Sequence, residues 1–253
     1  MESLAEFADL PVNQFWFLLG AVFIAAIVRG FSGFALSALV MASVVVILPP
    51  VQLIPICFMI EGAASILMAR GGVKDADWGV VWALVIGSAI GAPVGLSMTT
   101  TLPTETTKLI ALLVILLLAV LLLARVRPKF VGTTPGAYGS GLFAGVITGL
   151  ASVGGMVVAI FVLARDAQAR SMRGSLVMYL ALSMFVSAIY LVWFEMLDVT
   201  AAKRGLIASV PTLIGVFIGQ QLFRPSLERF YRTFCLSLVI LLAVAGLVRL
   251  MLA

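Results

Sequence analysis

Two short stretches decide how this chain folds: Arg29-Gly30-Phe31-Ser32-Gly33-Phe34-Ala35 and Gly149-Leu150-Ala151-Ser152-Val153-Gly154-Gly155. Each interrupts an apolar run, 13–48 and 136–164, too long for one straight membrane crossing, which takes about 20 residues. The other apolar runs are 50–70, 78–100, 106–124, 171–194, 203–223 and 230–252, each the length of an ordinary span. The order is broken run, span, span, span, and then the same again. Glycine at a break permits non-helical backbone. Lipid tolerates such backbone only where it lines a cavity or is buried in protein.

Composition agrees with this class. Hydrophobic residues are 63% of 253 and charged residues only 11%, too few charges to solvate a soluble domain. The runs are Leu-, Val- and Ala-rich and apolar all round, which fits lipid-facing helices and not the alternating strands of a barrel. An all-α polytopic membrane protein is expected. Histidine is absent, so His-based metal sites and His-based catalysis fall away together. Cys57 and Cys235 lie inside apolar runs, where a disulfide framework is not expected. No cofactor, no metal and no enzymatic activity follow from this inventory. The net charge of +5 comes without a basic cluster interleaved with aromatics, so nucleic acid is not an expected partner. Glu2, Glu6 and Asp9 stand before the first run, where a cleavable signal would carry positive charge.

The two breaks suggest an internal duplication, with 1–127 as the first repeat and 128–253 as the second. Ile90-Gly91-Ala92-Pro93-Val94-Gly95 is matched by Ile214-Gly215-Val216-Phe217-Ile218-Gly219, and Leu102-Pro103 by Arg224-Pro225. Leu113-Val114-Ile115-Leu116-Leu117 is matched by Leu238-Val239-Ile240-Leu241-Leu242. If both broken runs double back as hairpins, one side of the membrane collects Arg70, Lys74, Arg125, Arg127, Lys129, Arg165, Arg170, Arg173, Arg224, Arg229 and Arg232. The other keeps Lys108, Lys203, Arg204 and Arg249. Single crossings would divide the charges almost evenly, so the positive-inside rule selects hairpins, with both termini outside the cytoplasmic membrane. A hairpin plus three spans then makes the second repeat inverted relative to the first, a transporter architecture with its site near the midplane. Residues 154–164 reach only about 16 Å, a re-entrant length, whereas 13–28 and 31–48 are long enough to leave full crossing open.

A helix starting at a break presents free N–H groups and a positive dipole end, which receives an anion without any charged side chain. Gly30, Gly33, Gly149, Gly154 and Gly155 permit close approach there, and Ser32 and Ser152 add hydroxyl donors. Arg29 sits beside a break in an apolar setting, at a cost of several kcal/mol unless paired or hydrated. It reads as a guanidinium fork for an anion, or as a side chain that reaches the surface. Glu61, an acid deep in a span, reads equally as Arg29's partner and as a titrating group that couples transport to protons. The spacing of Gly87, Gly91 and Gly95, and of Gly141, Gly145 and Gly149, is that of packed membrane helices. Pro93 and Pro211 read as kinks, Trp16, Trp78 and Trp193 as surface-belt residues, and Tyr179 and Tyr190 as hydroxyls in need of partners.

With this two-half layout and these glycine breaks, the sequence resembles the TauE/SafE family of sulfite exporters over nearly its whole length. The resemblance implies a carrier of sulfite, sulfonates such as sulfoacetate, or related small organic anions. The family's denser glycine run after each break is kept as Gly154-Gly155 in the second half, whereas Phe34-Ala35-Leu36 stands in the first. No Walker motif is present, so a secondary transporter working by alternating access is expected. A gated anion channel is the alternative, with a structural subunit of a membrane complex behind it. The partners expected are the small anion and the lipid bilayer, and a homodimer is compatible with both.

Overall fold

The computed structural model describes residues 2–126, 133–164, 169–222 and 228–252. The boundary between the two expected repeats, together with Arg127, Lys129, Arg165, Arg224 and Pro225, lies outside them. The described regular structure is entirely helical. It begins with α1 (Glu2–Phe7), α2 (Val12–Ser32), α3 (Leu36–Val44), α4 (Pro50–Asp75), α5 (Trp78–Thr101) and α6 (Thr104–Leu123). It continues with α7 (Thr134–Ala151), α8 (Gly154–Ala164), α9 (Ala169–Trp193), α10 (Val199–Leu222) and α11 (Glu228–Leu252). Seven of these helices are long and apolar enough to cross a membrane: α2, α4, α5, α6, α9, α10 and α11. The chain is a multi-pass membrane protein.

Local chemistry sets the ends. Asp77 caps α5 by accepting from the Val80 N–H, and Thr133 caps α7 by accepting from the Gly136 N–H. Pro50 and Pro135 occupy first turns, where a missing N–H costs nothing. The sequence placed the first break over 29–35, but α2 runs on through Ser32 and only 33–35 depart from helix. Gly33 ends α2 at φ 82°, a left-handed conformation that favours glycine. Ala35, at φ 76°, turns the chain into α3. The second break narrows in the same way to 152–153, with Ser152 at φ 56°. At 1.5 Å per residue α2 is about 31 Å long and α3 about 14 Å, against about 27 Å for α7 and about 16 Å for α8. Each break therefore joins a long arm to a short one.

Contacts between helix ends fix directions. Arg204, near the start of α10, donates from Nε to the Ala8 carbonyl (2.7 Å) and from Nη2 to the Asp9 carbonyl (2.7 Å). It also donates from Nη1 to Gln52 Oε1 (2.9 Å). Helices α2, α4 and α10 thus begin at one end of the bundle. The Ser175 Oγ accepts the Asp77 N–H (2.9 Å), so α5 and α9 begin together at the other end. Phe31, near the end of α2, stacks on Tyr231, near the start of α11, with ring centroids 4.8 Å apart.

Backbone approaches backbone along two pairs of helices. A Cβ on Gly91 would meet the Leu142 carbonyl oxygen, one on Gly95 that of Val146, and one on Gly145 that of Ser88. The two glycine series read from the sequence thus face each other, and α5 and α7 run parallel with backbone against backbone at these glycines. Helices α2 and α10 repeat the arrangement through Gly30, Gly215 and Gly219. Each broken hairpin therefore leans on the third long helix of the other half of the chain, while α4 packs on α9 and α6 on α11.

Candidate functional site

The starts of the two short helices face one cavity. Its wall takes Phe34 and Ala35 from the first break with Ser37 and Ala38 of α3, and Ser152 and Val153 from the second with Gly154, Gly155 and Met156 of α8. Further wall comes from α4 (including Phe58 and Glu61), α5 (Ala92, Leu96), α7 (Thr148, Gly149) and α9 (including Tyr179, Ser183 and Ser187), with Arg29 behind. It encloses about 830 Å³ of space between atoms, part of it open. The lining is chiefly apolar, with hydroxyls and one ion pair converging on it, as small-molecule sites generally are.

The ion pair is built from three helices. Arg29 is fully buried near the end of α2; its Nη1 donates to the Gly33 carbonyl, and its Nη2 lies 3.3 Å from Glu61 Oε2. Glu61 keeps 19% of its side chain exposed, so it faces the cavity while Arg29 stands behind it. Glu61 Oε1 accepts from the Ser37 N–H (3.2 Å) and the Ser37 hydroxyl (2.9 Å). Ser37 is the second residue of α3, so the carboxylate sits on the exposed donors of that helix start. Cys57 lies one turn before Glu61 on α4 and is fully buried.

The expected site residues divide accordingly. Arg29, Gly149, Ser152, Gly154 and Gly155 lie at the cavity with Glu61. Gly30, Ser32 and Gly33 are not in its wall. Gly30 is spent on the contact with α10, and Gly33 on the turn that ends α2. Ser32 turns back on its own loop and donates to the Phe34 carbonyl (2.7 Å). Gly149 serves packing as well, since its carbonyl accepts from Thr99 Oγ1 (2.8 Å) and its Cα faces α5. Ser37, Thr148, Ser183 and Ser187 were not singled out from the sequence. Tyr179 lies in the cavity wall, whereas the Tyr190 hydroxyl donates to the Ala89 carbonyl (3.0 Å). Among the described residues no group of His, Cys, Asp or Glu is arranged to hold a metal ion.

One family model, described as Sulfite exporter TauE/SafE, matches residues 18–246. No curated protein and no solved structure matches the chain.

Proposed function

We propose that this chain, which belongs to the TauE/SafE family of sulfite exporters, is a secondary transporter that moves a small anion by alternating access. The anion is sulfite, a sulfonate such as sulfoacetate, or a related organic acid. It occupies the cavity between the two short helices, in the cytoplasmic membrane with both chain ends outside. The observation that carries this reading is the convergence of two helix starts, the Arg29 guanidinium and the Ser152 loop on one space at the breaks. Helix starts and a guanidinium aimed at one space in a low-dielectric setting favour negative charge there, which Glu61 now supplies. Helices α2, α4 and α10 start at one end and α5, α9 and the parallel α7 at the other, which supports an inverted duplication. Glu61, the acid in the cavity wall, is the group through which a proton travels with the anion.

Ligand stabilisation of the purified protein tests this. Sulfite, sulfoacetate, taurine, thiosulfate and short carboxylates would each be titrated while thermal unfolding is followed. At least one is expected to raise the midpoint, and to do so far less in Arg29→Ala. Equal stabilisation of that variant would remove Arg29 from the site. In vesicles, accumulation of the same anion against its gradient distinguishes a coupled carrier from a channel.

A further inference from the structure

We infer that the Glu61 carboxylate is itself the occupant of the anion site at the start of α3, and that a transported anion takes the same donors only after Glu61 has gained a proton and withdrawn. This rests on the transport reading above and adds to it what fills the first-half site at rest.

The donors that would greet an anion are already engaged by a tethered one. Glu61 Oε1 takes the Ser37 N–H and hydroxyl, and Oε2 lies 3.3 Å from Arg29 Nη2. Ala35, the residue before α3, supplies no side-chain cap, so the carboxylate from α4 acts in its place. The engagement is incomplete, however. Arg29 Nε and Nη2 and Glu61 Oε2 are buried with no hydrogen-bond partner. A permanent Arg–carboxylate pair gains its strength from two parallel hydrogen bonds; here a buried guanidinium keeps N–H groups that Glu61 does not satisfy. An oxyanion with three oxygens would supply the missing acceptors. The second half differs: Gly154 and Gly155 open α8, and among the described residues the cavity wall holds no acid besides Glu61. One helix start is capped by the protein's own carboxylate, and the wall offers no second carboxylate for the other.

Protonation is the step that exchanges the occupants. A carboxylate that binds one proton becomes neutral and gives up its claim on Arg29 and on the helix start, and a monovalent anion restores the same charge balance. One proton is therefore taken up per anion admitted to this site. Arg29 from α2 is the charged group facing Glu61, Ser37 from α3 does not titrate near neutrality, and Cys57 on α4 and Tyr179 from α9 are the other titratable side chains nearby. Arg204 of α10 is held at Gln52, at the start of α4.

Methanesulfonate, ionised at every working pH, is the probe, and its half-saturating concentration would be read from thermal stabilisation between pH 5 and 8. In wild type the affinity should fall about tenfold per pH unit wherever Glu61 is ionised, the slope of one linked proton. In Glu61→Gln the affinity should equal the acid-limit wild-type value and be flat with pH. As a readout independent of the variant's folding, infrared difference spectra of wild type should show a protonated carboxyl band appearing as methanesulfonate is added. A Glu61→Gln protein that keeps the wild-type slope, or a wild type that binds without gaining that band, overturns the exchange while leaving the transport reading intact. If no anion in the wider screen binds wild type at any pH, the transport reading and this inference fall together.

Discussion

Gly30→Ala isolates the contact between α2 and α10 from any part in anion binding. A Cβ at Gly30 would lie 2.5 Å from the Val216 carbonyl oxygen, 2.7 Å from Gly219 Cα and 2.8 Å from the Gln220 nitrogen. All three are backbone atoms, so no side chain can swing aside. The nearest falls about 0.9 Å short of ordinary contact, so α10 must move away by about that distance along its tightest line. Overpacking of this kind costs about 1–3 kcal/mol. Gly20, on the exposed side of the same helix, has nothing within 4 Å of its would-be Cβ. Gly20→Ala thus measures the helix-propensity gain alone, about 1 kcal/mol in favour of alanine. That gain cancels when the two variants are compared, leaving Gly30→Ala less stable than Gly20→Ala by about 1–3 kcal/mol. Reversible unfolding in mixed micelles, followed by tryptophan fluorescence, reads the difference. Equal stabilities would refute the assignment of Gly30 to a backbone–backbone contact.

Three further outcomes are expected. Arg29→Ala leaves Glu61 without its cation and the Gly33 carbonyl without its donor, at a cost of about 3–5 kcal/mol for breaking a buried pair. Arg29→Ala with Glu61→Gln should recover part of that loss in a double-mutant cycle, and a strictly additive cycle would contradict the pair. Arg204→Met removes three hydrogen bonds that tie Ala8, Asp9 and Gln52 to α10; faster proteolysis ahead of α2 than in wild type is the expected readout, and an unchanged rate would show the tie to be dispensable. Cysteines at Lys108 and Lys203 should react with an impermeant thiol reagent from the face opposite to one at Lys74, and labelling of all three from one face would contradict the helix directions.

The fold class was legible because 20-residue apolar runs leave no alternative in a chain with so few charges. The family was legible from the order of elements around two glycine breaks. The extent of the breaks was less so. Arg29 looked like the edge of a break because arginine is foreign to an apolar run, yet its guanidinium donates to the Gly33 carbonyl and lets α2 continue past it. Glycine alone does not say whether its missing Cβ serves a ligand, a turn or a neighbouring helix. Gly155, Gly33 and Gly30 take those three settings in turn: the cavity wall, the turn that ends α2, and the face of α10. Ser37 escaped notice because nothing in Leu36-Ser37-Ala38 marks it; its meaning comes from the register of α3 against α4, which brings Glu61 to it across 24 residues. Ser183 and Ser187 lie on α9 four residues apart with Tyr179, a spacing that aligns hydroxyls on one face. That stripe was in the sequence, but without a cavity it was indistinguishable from ordinary helix polarity.

The two glycine seams have a consequence for how the molecule can flex. Carbonyls set against Cα atoms cannot slide past each other without opening a void, so α5 with α7, and α2 with α10, should stay together in any rearrangement of the bundle. Each unit is a chimera, joining a hairpin arm from one half of the gene product to a span from the other. Where α4 meets α9 and α10, flexible thioethers fill the gap instead, with Met184 against Gly62 and Met59 against Gly205. A division of the molecule at the sequence midpoint would therefore cut through its closest backbone contacts.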